Sequence, residues 1–384
     1  MARRVCPTTV SVLVVLFLTI GVGVVNASSS WIRNPSNPVL WPTGNGWDAA
    51  LVLFPRLLYN GTGYQMWYSG ADSVASLPRY QVGYATSSDG LTWTKSARNP
   101  ILSPGPAGSW DSDSVASPSI LYNGSVYMMW YVGAKEVDSA EFLWWMYSGI
   151  QSIGLATSKD GVTWTKYSGN PVMTGSGLDS FVMYSPWVLR VGSEYKMWYT
   201  CQRSVSSEIR ICYAASPDGV HWAKNASPVL NATGFAPDWD SEGVSSPSVL
   251  YDGRVYGLWY SGFSASQSTQ IGYATSADGI TWTRAAGNPV LGPSSSGDWD
   301  SYAVDQPCVV PVNGGTFRMY YTGWVSANGN FPNKIGFAES PTGFVLPELG
   351  SPPLIAIMTI TLTLTLIPLA RRSKRDSTNC IFRK

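Results

Sequence analysis

A unit of about sixty residues recurs along this chain, and this internal repeat restricts the available folds more than any other feature. Each unit begins with an aspartate and carries a proline seven residues later, followed by an aromatic pair. The aspartates are separated by 63, 68, 61 and 60 residues. The five aspartates are Asp48, Asp111, Asp179, Asp240 and Asp300, and the prolines are Pro55, Pro118, Pro186, Pro247 and Pro307. Such spacing indicates one supersecondary unit stacked five times.

Each unit contains four strand-like runs separated by turn residues. In the second copy the runs cover residues 115–122, 126–132, 152–157 and 164–173. Asn-Gly and Asp-Gly pairs join the first two and the last two runs, and such pairs favour tight hairpins. Four antiparallel strands in about sixty residues match one blade of a propeller. We therefore predict an all-β, five-bladed β-propeller over residues 31–346.

The repeat also predicts how the ring closes. The fifth copy ends at Phe344 without the Asn-Pro-Val-Leu sequence, or a close variant of it, that ends the others, and an Asn-Pro-Val-Leu sequence stands instead at residues 37–40. The N-terminal segment is therefore expected to supply the outer strand of the last blade. The repeated tryptophans, such as Trp67 and Trp93, are expected to pack inside sheets and between blades. The initial aspartates are expected to accept backbone hydrogen bonds.

The two ends of the sequence resemble targeting segments. Residues 1–27 have the basic, apolar and small-residue regions of a secretory signal peptide, with an uncleaved anchor as the alternative. Residues 347–353 form a linker with a sorting-like motif, residues 354–370 an apolar transmembrane helix, and residues 371–384 a basic cytoplasmic tail. These patterns predict an exported protein that is anchored to the outer face of the cell membrane. We expect it to be a monomer.

Charge and residue counts exclude several functional classes. Residues 28–350 carry 17 bases and 23 acids, which argues against nucleic-acid binding. A single histidine, His221, excludes a zinc centre built from several histidines. Five Asn-x-Ser/Thr sequences permit glycosylation of an exported protein. They begin at Asn26, Asn60, Asn123, Asn225 and Asn231.

Two cysteines replace a pair of glycines in the third unit. Cys201 and Cys212 stand where the first unit, for example, has Gly70 and Gly83. Because both positions change together on neighbouring strands, we predict a disulfide between them, which an exported protein can retain.

Residues that differ between the units near the start of each inner strand are candidates for function, because the blade itself does not require them. Three acids, Asp113, Glu242 and Asp305, are peculiar to single units and are expected at one mouth of the central channel. Paired carboxylates there suggest glycoside hydrolysis, with Glu242 as general acid and Asp113 or Asp305 as base or nucleophile. The expected substrate-binding residues are Arg56, Tyr184, Trp187, Tyr302, Gln306, Trp144 and Trp145. Trp144 and Trp145 belong to an aromatic loop, for which a hydrophobic flap or membrane-facing patch is the alternative.

The unit "PSVLYDGRVYGLWYSG…IGYATSADGITWTR…NPVL", over residues 37–344, resembles the five-bladed propellers of glycoside hydrolase families 43 and 32. The resemblance implies this fold and a carbohydrate partner. The chain differs from these families in the positions of its acidic residues. Serines flank Pro118 and Pro247, and only Asp305 keeps an acid two places before an inner-strand proline. Two hypotheses follow: a surface glycosidase, or a catalytically inactive propeller that binds glycans or proteins.

No cofactor is required by either hypothesis. Calcium bound by Asp238, Asp240 and Glu242 is a weaker alternative, because oxygen ligands suit calcium but their spacing matches no known loop.

Overall fold

Five antiparallel sheets surround a common axis in the computed structural model, which describes residues 31–73, 78–135, 150–265, 267–312, 316–326 and 332–340. Blade 1 contains β2 (Leu51–Tyr59), β3 (Tyr64–Ala71), β4 (Tyr80–Ser87) and β5 (Thr94–Lys95). Blade 2 contains β6 (Ser114–Tyr122), β7 (Tyr127–Lys135), β8 (Ile150–Ser158), β9 (Trp164–Lys166) and β10 (Met173–Thr174). Blade 3 contains β11 (Val182–Val191), β12 (Glu194–Gln202), β13 (Arg210–Ser216) and β14 (Ala223–Lys224).

The last two blades complete the ring. Blade 4 contains β15 (Gly243–Tyr251), β16 (Tyr256–Ser264), β17 (Gln267–Ser276) and β18 (Thr283–Arg284). Blade 5 contains β19 (Ala303–Val312), β20 (Thr316–Trp324), β21 (Lys334–Glu339) and the N-terminal strand β1 (Ile32–Arg33). The inner strands β2, β6, β11, β15 and β19 each contact the next one, and β19 contacts β2. The predicted all-β, five-bladed propeller is therefore confirmed.

The predicted closure by the N-terminal segment is also confirmed. Strand β1 pairs antiparallel with β21. The Asn37 side chain donates a hydrogen bond to the Phe337 carbonyl over 2.8 Å and accepts one from the Phe337 amide over 2.9 Å. Asn99 makes the same two bonds to Tyr84 in blade 1. The N-terminal segment thus occupies in blade 5 the position that the outer segment of residues 99–102 occupies in blade 1.

Aromatic side chains, mostly tryptophans, join each blade to the next. The Trp130 indole of blade 2 donates to the Gly219 carbonyl of blade 3 over 2.8 Å, and its ring meets the edge of Trp222 at 6.1 Å. Trp67, Trp198 and Tyr320 make the corresponding bonds to Gly161, Gly279 and Gly90. Trp31 meets Trp259 at 6.2 Å, so it occupies in blade 5 the position that Trp222 occupies in blade 3. Phe344 lies outside the described residues.

The initial aspartate of each unit is buried and paired with a cation. Asp111 accepts hydrogen bonds from the Tyr131 hydroxyl over 3.2 Å and from the Lys166 ammonium over 2.6 Å. The expectation of backbone donors was therefore wrong in its main part, because side chains supply most of the donors. The corresponding groups are Asp48 with Tyr68 and Lys95, Asp179 with Tyr199 and Lys224, Asp240 with Tyr260 and Arg284, and Asp300 with Tyr321 and Arg33. Buried carboxylates need such partners.

The Cys201–Cys212 disulfide is present, with Cα atoms 5.8 Å apart. In blade 1 the glycines at these positions lie against Trp47, and a Cβ atom added to Gly83 would lie 2.5 Å from that indole. Blade 3 has Leu178 in place of this tryptophan, packed with the two cysteines in one apolar cluster. The disulfide and the smaller leucine therefore fill a space that indoles fill in the other blades.

The predicted signal peptide, linker, transmembrane helix and basic tail all lie outside the described residues. Among the residues that are described, no helix has the length and apolar character needed to cross a membrane.

Candidate functional site

The inner strands all begin at one rim of the ring. Just before each strand, a backbone amide donates to a carbonyl near the end of the second strand, as Asp113 does to Ala134 and Glu242 does to Phe263. This shared pairing places five equivalent residues on one face of the propeller, which we call the axial mouth. They are Ala50, Asp113, Phe181, Glu242 and Tyr302, and of these Asp113, Glu242 and Tyr302 are exposed.

Asp305 lies deeper in the same opening and is only 2% exposed. Burial raises the pKa of its carboxyl, an effect that hydrogen bonds from Ser261 and from the Gln306 amide partly offset. The Gln306 amide lies 2.7 Å from the carboxylate oxygen. Burial likewise raises the pKa of Tyr184, and the charge of Asp305 adds to this shift. Asp305 is thus a buried acid with a neighbouring phenol and no described ion-pair partner.

The wall around Asp305 differs from blade to blade. At the position two places before the proline, blades 1 and 2 have Leu53 and Ala116, whereas blades 3 and 4 have Tyr184 and Ser245. All four are buried. Leu53, Ala116 and the Tyr184 ring share one apolar cluster, whereas Ser245 and the buried acid Asp305 make the rest of this layer polar.

A bulge in every inner strand shapes the channel below this layer. The residue before each proline has a positive φ, and the pairing with the second strand shifts by one position there. Residues other than glycine rarely adopt this backbone conformation, and a positive φ costs about 1–3 kcal/mol per residue. Because all five blades have it, the bulge belongs to the scaffold. The five residues are Phe54, Ser117, Ser185, Ser246 and Gln306.

Arg56, Trp187 and Gln306 lie inside the channel, where each is at most 6% exposed. The Arg56 guanidinium stacks on the Trp187 ring, 3.4 Å from its centroid. The Trp187 indole donates to the Val249 carbonyl over 2.7 Å. These three residues were predicted to bind substrate beside the mouth, and the structure places them below it. Trp144 and Trp145 lie outside the described residues.

The channel contains features that the sequence analysis missed. Arg56 of blade 1 reaches Trp187 of blade 3, although the two are far apart in the sequence. Serine and threonine hydroxyls on second strands accept the amides of the bulged residues, as Ser69 does for Ser117 and Thr200 does for Ser246. The sequence shows a signal for these bonds, because a serine or threonine follows the aromatic pair in most units, as Ser69 and Thr200 do.

A calcium site is not supported. Asp240 forms an ion pair with Arg284 over 2.8 Å, which occupies the proposed central ligand. The described residues contain no group of three histidine, cysteine, aspartate or glutamate side chains that could hold a metal ion.

Comparisons with solved structures agree with this geometry at the level of the fold. A glycoside hydrolase superimposes with a TM-score of 0.65 at 18% identity, covering 84% of this chain and 96% of that chain. The β-1,2-mannobiose phosphorylase from Listeria innocua superimposes with a TM-score of 0.61 at 13% identity, covering 80% and 96%. The chain therefore has a glycoside hydrolase-like propeller fold, while families 43 and 32 are not singled out.

Sequence comparisons give more specific relatives. No family model matches the chain. A β-1,2-mannobiose phosphorylase of Thermoanaerobacter sp. is 26% identical over 170 residues, which are 43% of this chain and 56% of that protein. The uncharacterized protein Rv1502 of Mycobacterium tuberculosis is 33% identical over 226 residues, which are 58% of this chain and 71% of that protein. This chain therefore belongs to the same protein family as Rv1502.

Proposed function

We propose that this protein binds a carbohydrate at the axial mouth. The observation that carries the proposal is the gathering of blade-specific polar side chains at this opening, in a propeller whose scaffold residues otherwise repeat. Asp113, Glu242 and Tyr302 are exposed at the rim, and Tyr184 and Asp305 lie below them. Carboxylates can accept hydrogen bonds from sugar hydroxyls, and an aromatic face can stack on a sugar ring.

The relatives support a carbohydrate as the ligand. Glycoside hydrolases and β-1,2-mannobiose phosphorylases share this fold, and one such phosphorylase also shares detectable sequence similarity. A fold hosts many functions, so the ligand class rests on the side chains at the mouth together with these relatives.

Cleavage of the bound carbohydrate is a second candidate function. It is favoured by the raised pKa of the Asp305 carboxyl, because a general acid must keep its proton near neutral pH. Asp305 suits this role better than the exposed Glu242, which the sequence analysis favoured. However, Asp305 is 2% exposed, so a glycan reaches it only if the mouth opens above it. Binding is therefore the primary proposal.

The binding proposal can be tested with the full-length protein on a glycan array. We expect binding to a defined set of glycans, and a loss of at least tenfold in affinity for Glu242→Gln or Tyr302→Ala. Glu194→Gln is the matched control, because Glu194 is an exposed acid at the hairpin between β11 and β12, at the opposite end of a blade. Absence of glycan binding, or equal losses in the control, would contradict the proposal.

Glycans that bind would then be tested for cleavage, with and without inorganic phosphate. Asp305→Asn should abolish any cleavage while the glycan remains bound. Product formation that survives this substitution would exclude Asp305 as the proton donor.

We also propose that the protein is a monomer held at the outer membrane surface by residues 354–370. The axial mouth would then bind its ligand outside the cell. The sequence patterns at both ends support this location. Protease treatment of intact cells should remove the propeller and leave the basic tail protected.

A further inference from the structure

A small cavity lies on the axis below the mouth, with a volume of about 30 Å³. This volume holds one or two particles of the size of a water molecule. Its wall consists of the five inner-strand prolines, the five bulged residues, Arg56 and Trp187. Its lining shares no residue with the rim of the axial mouth, so its ligand is distinct from the proposed carbohydrate.

Arg56 brings an uncompensated positive charge to this cavity. The guanidinium contacts the Trp187 ring and donates to the Ile120 carbonyl over 3.3 Å, while its Nε atom has no partner. Burial lowers the pKa of Arg56 to about 10, and the neighbouring Cys308 is a buried thiol whose own pKa is raised to about 11. Arg56 is therefore charged and Cys308 neutral at pH 7. No carboxylate is among the groups that shift this pKa.

The paired cations of the blades make Arg56 an exception. Lys95, Lys166 and Arg284 each lie within 3 Å of a buried aspartate. A buried charge without such a partner costs several kcal/mol. Arg56 therefore needs a negative partner that the described side chains do not supply.

Three further groups at the same cavity lack partners. The hydroxyls of Ser117 and Ser185 and the Nε2 atom of Gln306 are buried without a hydrogen bond. Each unsatisfied buried group of this kind destabilises the fold, because it has lost its hydrogen bonds to water. The Gln306 carbonyl oxygen accepts the Phe54 amide over 3.0 Å and the Thr322 hydroxyl over 2.7 Å. These bonds fix its amide nitrogen as a donor.

The available groups are therefore dominated by donors. Arg56 and the Gln306 amide can only donate, and the two serine hydroxyls can rotate to donate as well. The hydroxyl of Ser246 also lines the cavity, but it lies beside Asp305 and is not included in this set. A cation would find a fixed positive charge here, whereas an anion would satisfy all four groups.

We propose that the axial cavity binds one small monovalent anion, with chloride as the species that fits its size. Arg56 supplies the charge, and Ser117, Ser185 and Gln306 supply hydrogen bonds from three other blades. An anion held in this way would join four of the five blades on the axis. It would stabilise the closed ring independently of any carbohydrate.

Thermal unfolding in chloride tests the proposal. At constant ionic strength, with methanesulfonate replaced stepwise by chloride, the melting temperature should rise and follow the dependence of a single saturable site. Bromide should act in the same way, and bromide-soaked crystals should show an anomalous peak in the axial cavity. Equal melting temperatures in chloride and methanesulfonate, or a bromide peak elsewhere only, would overturn the proposal.

Variants separate this site from general salt effects. Arg56→Met should lose the chloride dependence, and Ser185→Ala should raise the half-saturating chloride concentration at least fivefold. Arg98→Met is the control, because Arg98 is an exposed arginine on the outside of the ring. If Arg56→Met does not fold, Ser185→Ala decides the question, and an unchanged chloride dependence in Ser185→Ala contradicts the site. No glycan is present in these measurements, so their outcome is independent of the proposed function.

Discussion

Asp300 and Asp305 lie five residues apart in blade 5 and are almost equally buried, yet their surroundings are opposite. Asp300 accepts a hydrogen bond from Arg33 over 2.8 Å and one from Tyr321 over 2.9 Å. Asp305 has hydroxyl and amide donors but no cation among the groups that shift its pKa. The first belongs to a pattern that all five blades share, and the second occurs in one blade only. Repetition thus marks residues that stabilise the ring, and its absence marks candidates for function.

The largest effect that this comparison predicts is at Asp300. Asp300→Asn removes the charge that pairs with Arg33 and weakens the attachment of the N-terminal segment to blade 5. We expect a loss of about 2–3 kcal/mol in the free energy of unfolding, less than for a fully buried pair because Arg33 is partly exposed. Urea denaturation measures this loss.

Asp48→Asn is the matched control, because Asp48 pairs with Lys95 of its own blade, whereas Asp300 pairs with Arg33 of the N-terminal strand. A larger loss at Asp300 would assign the extra contribution to ring closure. Equal losses in both variants would show that closure adds nothing.

The disulfide of blade 3, which lies outside the comparison of the two aspartates, should have an effect of at least similar size. It closes a loop with a sequence separation of 11 residues, for which loop entropy predicts about 2.5–3 kcal/mol. Replacement of Cys201 and Cys212 by glycine should cost at least this amount, because Leu178 leaves unfilled the space that Trp47 fills in blade 1. Adding Leu178→Trp to the double variant should restore part of the stability. Calorimetry of the two variants would show no difference if the space were filled in another way.

The sequence predicted those features that depend on the repeat. The disulfide followed from two glycines replaced together, and the closing strand followed from a displaced Asn-Pro-Val-Leu. The role of Arg33 was also readable, because Trp31 and Arg33 have the spacing of Trp93 and Lys95. Arg33 nevertheless precedes the first aspartate and so lies outside the repeat that begins there.

The axial contacts were not predictable in the same way. The stacking of Arg56 on Trp187 joins side chains from two blades that are not adjacent in the ring, so it depends on the radius of the channel. A repeat predicts how many blades surround the axis, but it does not specify how far the side chains reach across it. The exposure of an acid, such as exposed Glu242 or buried Asp305, likewise depends on how deep in the channel its position lies.

Asp305→Asn should change stability in the direction opposite to Asp300→Asn. Since the folded-state pKa of Asp305 is raised, the charged carboxyl destabilises the fold above the pKa of the unfolded chain, and this penalty vanishes at low pH. We expect Asp305→Asn to raise the free energy of unfolding at pH 7 and to leave it unchanged near pH 3. Urea denaturation at both pH values measures the difference. A destabilised variant at pH 7 would mean that Asp305 belongs to the scaffold.

The smallest effect concerns the Asp-Gly turns, which repeat but lie at the surface. The Asp89 carboxylate accepts the amides of Thr92 and Leu91, each over 2.8 Å, and these bonds lower its pKa to about 2. Its contribution is therefore complete above the unfolded pKa of about 3.9 and is lost as pH falls towards 2. Asp89→Asn should cost less than about 1 kcal/mol at pH 7, because the group is exposed to solvent.

Unfolding followed by circular dichroism should show this difference shrinking between pH 4 and pH 2. Asp72→Asn, which alters an exposed acid of the same blade, is the control, and a pH-independent difference at Asp89 would rule out the turn carboxylate as its source.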